Sequence, residues 1–149
     1  MNPIAFEVRP LAGGGAHEVI PVVGGASLPE VIHAYEHAAG LTPRPLSDSG
    51  GLVPEHYGFG PAREHWFGLR EFSKHAPGEI PVLGCSCGEW GCWPTYATVV
   101  FDDETVTWRE FSNLDSALPL AQFGPLVFRR EDYENAVSLL APFWDSTQD

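Results

Sequence analysis

The chain has 149 residues, of which 44% are hydrophobic and 19% charged, a composition typical of one globular domain over residues 1–149 and not of a disordered chain. Eight basic residues against twenty acidic ones give a formal net charge of -12 and leave no basic stripe. We therefore expect neither a nucleic-acid partner nor an anionic membrane partner. The same charge permits a basic protein partner, although its simplest effect is to keep the protein in solution.

The N-terminus and the cysteine content predict a cytoplasmic protein. The first residues, Met1-Asn2-Pro3-Ile4-Ala5-Phe6-Glu7, have neither the positive segment nor the apolar core of a signal peptide. No apolar run approaches the roughly 20 residues that span a bilayer. In a reducing compartment, an odd number of cysteines close together indicates a metal or redox site more than a disulfide framework.

Two strands are predicted ahead of the first helix. Apolar side chains alternate with others over residues 4–9, which is typical of a strand with one buried face. Residues 18–23 predict a second strand. Pro21 would place that strand at a sheet edge, because proline has no N–H to donate to a neighbouring strand.

A capping box predicts the first helix. Ser27 suits the N-cap, Glu30 lies three residues later, and Gly40 is a typical residue beyond the last turn. Residues 41–60 contain three prolines and predict a long loop.

The middle of the chain predicts a short helix followed by strands. Apolar spacing supports a helix from Pro61 to about Lys74, although Gly68 weakens it because glycine is a poor helix former. Residues 79–84 lead into a cysteine-rich loop, and residues 94–101 leave it. Both faces of the strand over 94–101 are mostly apolar, which predicts a central position in its sheet.

The C-terminal third completes the predicted fold. Residues 105–111 return as a hairpin partner, and residues 125–128 predict a short last strand. Residues 131–141 predict a closing helix, which Pro142 would end or kink. Its apolar stripe, interpreted as a core contact, comprises Tyr133, Ala136, Val137 and Leu140. Together these elements predict an α+β fold, with one mainly antiparallel sheet and two or three helices packed on it.

The chemically distinctive segment is the cysteine loop, whose sequence is Cys85-Ser86-Cys87-Gly88-Glu89-Trp90-Gly91-Cys92. On an extended backbone Cys85 and Cys87 point the same way, and the two glycines permit a turn that brings Cys92 back to them. Three convergent thiolates could supply three of the four ligands of a tetrahedral zinc ion. The candidates for the fourth ligand nearest in sequence are His75 and Glu89, followed by His65 and His56.

Two alternatives to a zinc site stay open. The thiols could be small buried side chains with a structural role, since cysteine is among the most buried residue types. They could instead be redox-active, which requires a thiolate of low pKa, yet no arginine or lysine lies close to them in sequence. Structural zinc sites usually show paired C-x2-C knuckles, and this chain has one short loop without a second pair.

The histidines add weaker candidates. His33 and His37 match the H-x-x-E-H pattern of one metalloprotease class, but they fall on the solvated side of the first helix. His56 and His65 flank an aromatic, glycine-rich segment that could line a pocket, although surface histidines are the simpler interpretation. No serine nucleophile elbow is present. The sequence therefore leaves open whether the protein is an enzyme.

Three segments resemble a family of small uncharacterised bacterial proteins that carry a C-x-C-G-E-x-G-C-W-P loop. They are Leu83-Gly84-Cys85-Ser86-Cys87-Gly88-Glu89-Trp90-Gly91-Cys92-Trp93-Pro94, Val106-Thr107-Trp108-Arg109-Glu110-Phe111 and Phe128-Arg129-Arg130-Glu131-Asp132-Tyr133. The resemblance would cover most of the chain and is specific around the cysteine loop. It implies a bacterial source and supplies no mechanism or catalytic residue.

The leading hypothesis is a non-enzymatic cytosolic binding or interaction protein. An acidic immunity protein that neutralises a basic toxin is one concrete form, because the chain is strongly acidic and shows no catalytic constellation. The alternative is a zinc- or thiol-dependent enzyme that uses Cys85, Cys87 and Cys92. The oligomeric state is not predicted.

Overall fold

The computed structural model describes residues 1–41, 46, 49–70, 76–85, 94–113, 120 and 122–148. The strands are β1 (Ile4–Pro10), β2 (His17–Val23), β3 (Ala26–Ser27), β4 (Ser49–Gly50), β5 (Glu79–Cys85), β6 (Thr95–Phe101), β7 (Thr105–Asn113) and β8 (Leu126–Arg129). The helices are α1 (Leu28–Ala38), α2 (Ala62–Trp66) and α3 (Arg130–Ser146), and Pro54–His56 form a 3-10 turn.

Within the described residues the strands form two antiparallel sheets, ordered β1-β2-β3 and β4-β5-β6-β7-β8. The α+β class and the antiparallel pairing are confirmed, and β6 is central in its sheet as predicted. The strands divide between two sheets in place of one, because alternation locates a strand without identifying its partner. The sheets meet where Val19 and Leu52 exchange backbone hydrogen bonds of 2.7 and 3.1 Å.

Pro21 lies in a central strand, so its predicted edge position is wrong. β2 pairs with β1 on one side and with β3 on the other. Val19 directs its N–H and C=O toward Leu52 and away from β1, and the alternation of the ladder turns the Pro21 nitrogen to the same side. Along β2, Pro21 lies between Val19, which bonds to Leu52, and Val22, which pairs with β3. The missing N–H of Pro21 therefore interrupts neither contact.

The capping box of α1 is confirmed. The Ser27 Oγ accepts a hydrogen bond from the Glu30 N–H at 3.4 Å and donates one to the Glu30 carboxylate at 2.8 Å. At the other end Gly40 has a φ of +77° and donates its N–H to the His37 carbonyl. This left-handed residue ends the helix as the sequence predicted.

α2 ends at Trp66, so the predicted extension toward Lys74 is wrong. Gly68 has a φ of +67°, a conformation that breaks the helix. The Leu69 N–H then bonds to the Glu64 carbonyl at 2.9 Å and closes the last turn. The predicted apolar face is confirmed for Trp66, which is fully buried.

α3 continues through Pro142 to Ser146, beyond its predicted end. Contacts past the proline account for the extension. Trp144 is fully buried and donates its indole N–H to the Gly60 carbonyl at 2.8 Å. The Asp145 carboxylate accepts the first amide of α2 at 2.8 Å. These bonds offset the backbone hydrogen bond that proline cannot donate.

Large aromatic side chains from both sheets and the helices dominate the core. Among the described residues, the largest that are fully buried are Trp66, Trp108, Trp144, Tyr133, Phe59, Phe67, Phe111 and Phe128. The Trp108 indole N–H donates to the Tyr133 hydroxyl at 3.1 Å, and that hydroxyl donates to the Trp66 carbonyl. Burial raises the pKa of Tyr133, so the phenol stays protonated. The predicted core stripe of α3 is therefore confirmed.

A bulge interrupts the ladder between β6 and β7. Tyr96 pairs with Ser112 while Thr98 pairs with Arg109, so one β6 residue faces two residues of β7. Glu110 occupies the bulge with a φ of +54°, a left-handed conformation that side chains other than glycine rarely adopt.

Candidate binding groove

A groove of about 330 Å³, lined mostly by apolar residues, lies between β1 and α3. The α3 side is a continuous helical stripe over three turns, formed by Asp132, Asn135, Ala136, Leu139, Leu140 and Phe143. The β1 side is formed by Ile4, Ala5, Phe6 and Val8. The volume lies at the lower end of the range for ligand pockets.

The position of the groove follows from the alternation of β1. Ile4, Phe6 and Val8 share one face of the strand, which is the face turned toward α3. The Phe6 ring is anchored on Trp66 at a centroid distance of 4.5 Å. Toward the end of the strand the surface opens, because Val8 is 38% exposed and Leu139 of α3 is 85% exposed. The groove is thus built on the core at one end and open to solvent at the other.

The pattern of the sequence does not predict this groove. The apolar stripe of α3 predicts a core contact, and its residues are buried. The groove is lined by two members of that stripe, Ala136 and Leu140, and by the adjacent row of Asn135, Leu139 and Phe143, of which only part is apolar. A signal was present in Leu139, an apolar residue that falls beside the core stripe. A single exposed leucine is common on protein surfaces. Leu139 indicates a groove only once the structure shows that β1 lies beside it.

One end of the groove is acidic. Asp132 lines it, and Glu131 is exposed beside it in the first turn of α3. The polar turn between β6 and β7 is held against this turn of the helix, because the Arg130 N–H donates to the Glu104 carbonyl at 2.9 Å. In that turn, backbone N–H groups that bond the carboxylate hold the pKa of Asp102 below its usual value. The Asp102 carboxylate is therefore ionised at neutral pH.

His65 lies in the core and not on the surface, so the simpler interpretation in the sequence analysis is wrong for this residue. Its Nε2 lies 3.0 Å from the Pro81 carbonyl, and since a carbonyl only accepts, Nε2 carries the hydrogen. The rings of Trp66, Phe59 and Trp144 surround the imidazole at centroid distances of 4.8, 5.1 and 5.3 Å. Burial lowers the pKa of His65 to about 3. The imidazole is therefore neutral and structural.

His56 is exposed and does line a cavity, of about 280 Å³, together with Tyr57, Gly58 and the C-terminal residues Thr147 and Gln148. His65 is not part of it. Gln148 donates to two backbone carbonyls of the neighbouring segment, at 2.8 and 3.1 Å. These bonds fasten the C-terminus to the wall of the cavity.

The predicted zinc ligands are only partly placed. Cys85 is half-buried at the end of β5, where its backbone faces Ser49 of β4. Cys87, Cys92 and His75 lie outside the described residues. In the part of the chain that the structure describes, no group of three or more histidine, cysteine, aspartate or glutamate side chains is arranged to hold a metal ion. The zinc site therefore stays a prediction.

Comparison with known proteins adds no relative. No family model, no curated protein and no solved structure matches this chain. The resemblance to a bacterial family therefore stays a prediction. Among the described helices, none combines the length and the apolar character needed to cross a membrane.

Proposed function

We propose that this chain is a non-enzymatic binding protein of the bacterial cytoplasm that holds a segment of a basic partner protein in the groove between β1 and α3. The observation that carries the proposal is the exposure of Leu139, 85% of whose surface is open to solvent above an apolar strand. Apolar surface that is contiguous, concave and rimmed by polar groups is typical of interaction sites.

The apolar lining and the acidic end of the groove would contribute to binding in different ways. Complete burial of a leucine side chain contributes roughly 1.5–3 kcal/mol, so Leu139 alone can supply a large share of a modest affinity. Charge complementarity mainly raises the association rate and rejects partners of the same sign. With a net charge of -12, the protein would attract basic partners and repel acidic ones. An immunity-type protein that neutralises a basic toxin fits both terms.

Capture from a bacterial extract tests the proposal with a matched pair of variants. L139E places a carboxylate inside the groove, whereas S138E adds the same charge at the neighbouring exposed position outside it. We expect the wild type and S138E to retain the same basic protein at low salt and to release it as salt rises. L139E should lose it. Equal capture by L139E, or the lack of any salt-sensitive basic partner, would refute the proposal.

The cysteine loop supports a second candidate, a zinc- or thiol-dependent function. The observation that supports it is the position of Cys85, which is half-buried at the end of β5. A bound zinc would appear as about one metal atom per chain in protein purified without added metal, and C92S would remove it. Less than about a tenth of an atom per chain would exclude zinc, because structural sites bind tightly. Slow reaction of every thiol with a titrating reagent would exclude the redox form.

A further inference from the structure

Among the described residues, β1 has no strand partner along most of its outer edge. In the described residues it pairs with β2 alone, on one side. Val8 faces Val19, whose N–H and C=O are both bonded to Leu52 on the far side of β2, so Val8 and Val19 make no hydrogen bond to each other. Alternation along the strand then directs the N–H and C=O of Ile4, Phe6 and Val8 to the outer edge.

The start of this edge already binds another strand. Asn2 has the same alternation as Ile4, and its N–H donates to the Val127 carbonyl of β8 at 2.8 Å. β8 then passes into α3 at Arg130 and leaves the edge. Beyond Asn2, no other strand of the described residues pairs with this edge, and the residues of β1 that follow line the groove.

We infer that the partner segment binds in extended form, as a strand added to the outer edge of β1, with apolar side chains in the groove and basic side chains on its other face. This inference rests on the proposed function. From Ile4 to Val8 the edge is about 13 Å long, and the α3 stripe beside it spans about 16 Å. Both lengths suit an extended segment of about five residues.

The backbone favours a strand over a helix as the occupant. A helix satisfies its own N–H and C=O groups, so it would leave those of Ile4, Phe6 and Val8 without protein partners. An added strand bonds them and presents alternate side chains to the apolar lining. The exposed Glu131 beside one end of the groove and the net charge of -12 favour a basic segment.

Amide hydrogen exchange on the full-length, isotope-labelled protein tests the inference with a defined probe. The probe is a seven-residue synthetic peptide in which valine and lysine alternate. We expect its binding to slow exchange at least about tenfold at Ile4, Phe6 and Val8, because these amides become bonded. Ala5 and Glu7 already face β2 and should not change. A peptide with glutamate in place of lysine should bind at least about tenfold more weakly.

Two N-methylated peptides provide a second, independent readout. Methylation of the valine amides and methylation of the lysine amides block opposite edges of an extended peptide. One of the two should lose binding at least about tenfold, and the other should bind within about threefold of the parent. Equal behaviour of both would overturn strand addition.

The remaining outcomes separate this inference from the proposed function. A probe that does not bind more tightly than about 1 mM overturns the inference. So does binding without protection of the three amides. Protection that is present without peptide and grows with protein concentration assigns the edge to a second copy of the chain and also overturns it. In each case the proposed function stands if capture of a basic protein still depends on Leu139.

Discussion

Lowering the pH from about 7.5 to about 5 should destabilise the protein by about 2 kcal/mol through His65 alone. Burial lowers its pKa to about 3 in the folded protein, a charge on Arg70 acts in the same direction, and the ordinary value is 6.5. Between these two pH values the unfolded chain binds a proton that the folded chain does not. Stability therefore falls as the pH drops below about 6.5. Each pH unit contributes about 1.4 kcal/mol, and the folded imidazole is still neutral at about pH 5.

The assay is urea denaturation at the two pH values for the wild type, H65Q and H37Q. Glutamine at position 65 keeps a donor that can reach the Pro81 carbonyl but does not titrate. His37 is exposed and is the matched control. The carboxylates titrate alike in all three proteins. The wild type and H37Q should therefore lose about 2 kcal/mol more than H65Q between about pH 7.5 and about pH 5.

Equal losses for the wild type and H65Q, within about 0.5 kcal/mol, would refute the assignment of a buried neutral imidazole. Should H65Q fail to fold, nitrogen-15 spectra of the wild-type imidazole decide the same point. His65 should remain in the neutral form with its hydrogen on Nε2 at about pH 5. A protonated His65 ring in the folded protein at that pH would also refute the assignment of a buried neutral imidazole.

Three further predictions use the same denaturation assay at neutral pH. E110G should stabilise the protein by about 0.5–1 kcal/mol, because glycine adopts the left-handed backbone conformation of this position without strain. R109G, at the neighbouring position of the strand, should destabilise it. A loss of stability in E110G would contradict the bulge. S27A should cost about 1 kcal/mol through loss of the α1 cap, and S27N should restore most of it. Y133F should cost about 2 kcal/mol, since it leaves the Trp108 N–H and the Trp66 carbonyl buried without their shared partner. An unchanged urea midpoint would show that the Tyr133 hydroxyl does not make these bonds.

The predictions that succeeded depend on local chemistry. Ser27 and Glu30 cap a helix through bonds within one turn, and Gly40 ends it by its own backbone conformation. The alternation of β1 and the apolar faces of β6 also follow from a few adjacent residues. Such features can be derived from a short window of sequence, because the groups that interact lie within it.

The predictions that failed depend on distant partners. Pro142 ends a helix by its local chemistry, yet α3 continues because Trp144 bonds to Gly60. His65 was predicted to lie on the surface although Phe59 and Trp66 are near it in sequence, because only the tertiary structure brings Trp144 and the Pro81 carbonyl against the imidazole. Pro21 is tolerated in a central strand because β2 bonds to Leu52 before this residue and to β3 after it. Only the tertiary structure defines these two partners. The groove was missed for the same reason, since it joins the first strand to the last helix.

α3 separates folding from the proposed binding. Its buried row, which includes Tyr133 and Val137, packs in the core, while Leu139 is directed to solvent. Truncation of Leu139 should therefore cost little stability, because a residue that is 85% exposed has little burial to lose. The same truncation should weaken binding by the burial that a partner would have supplied. If L139A keeps its stability but loses the partner, this row of α3 is an interaction surface. If L139A is strongly destabilised, Leu139 belongs to the core and the groove is not a binding site.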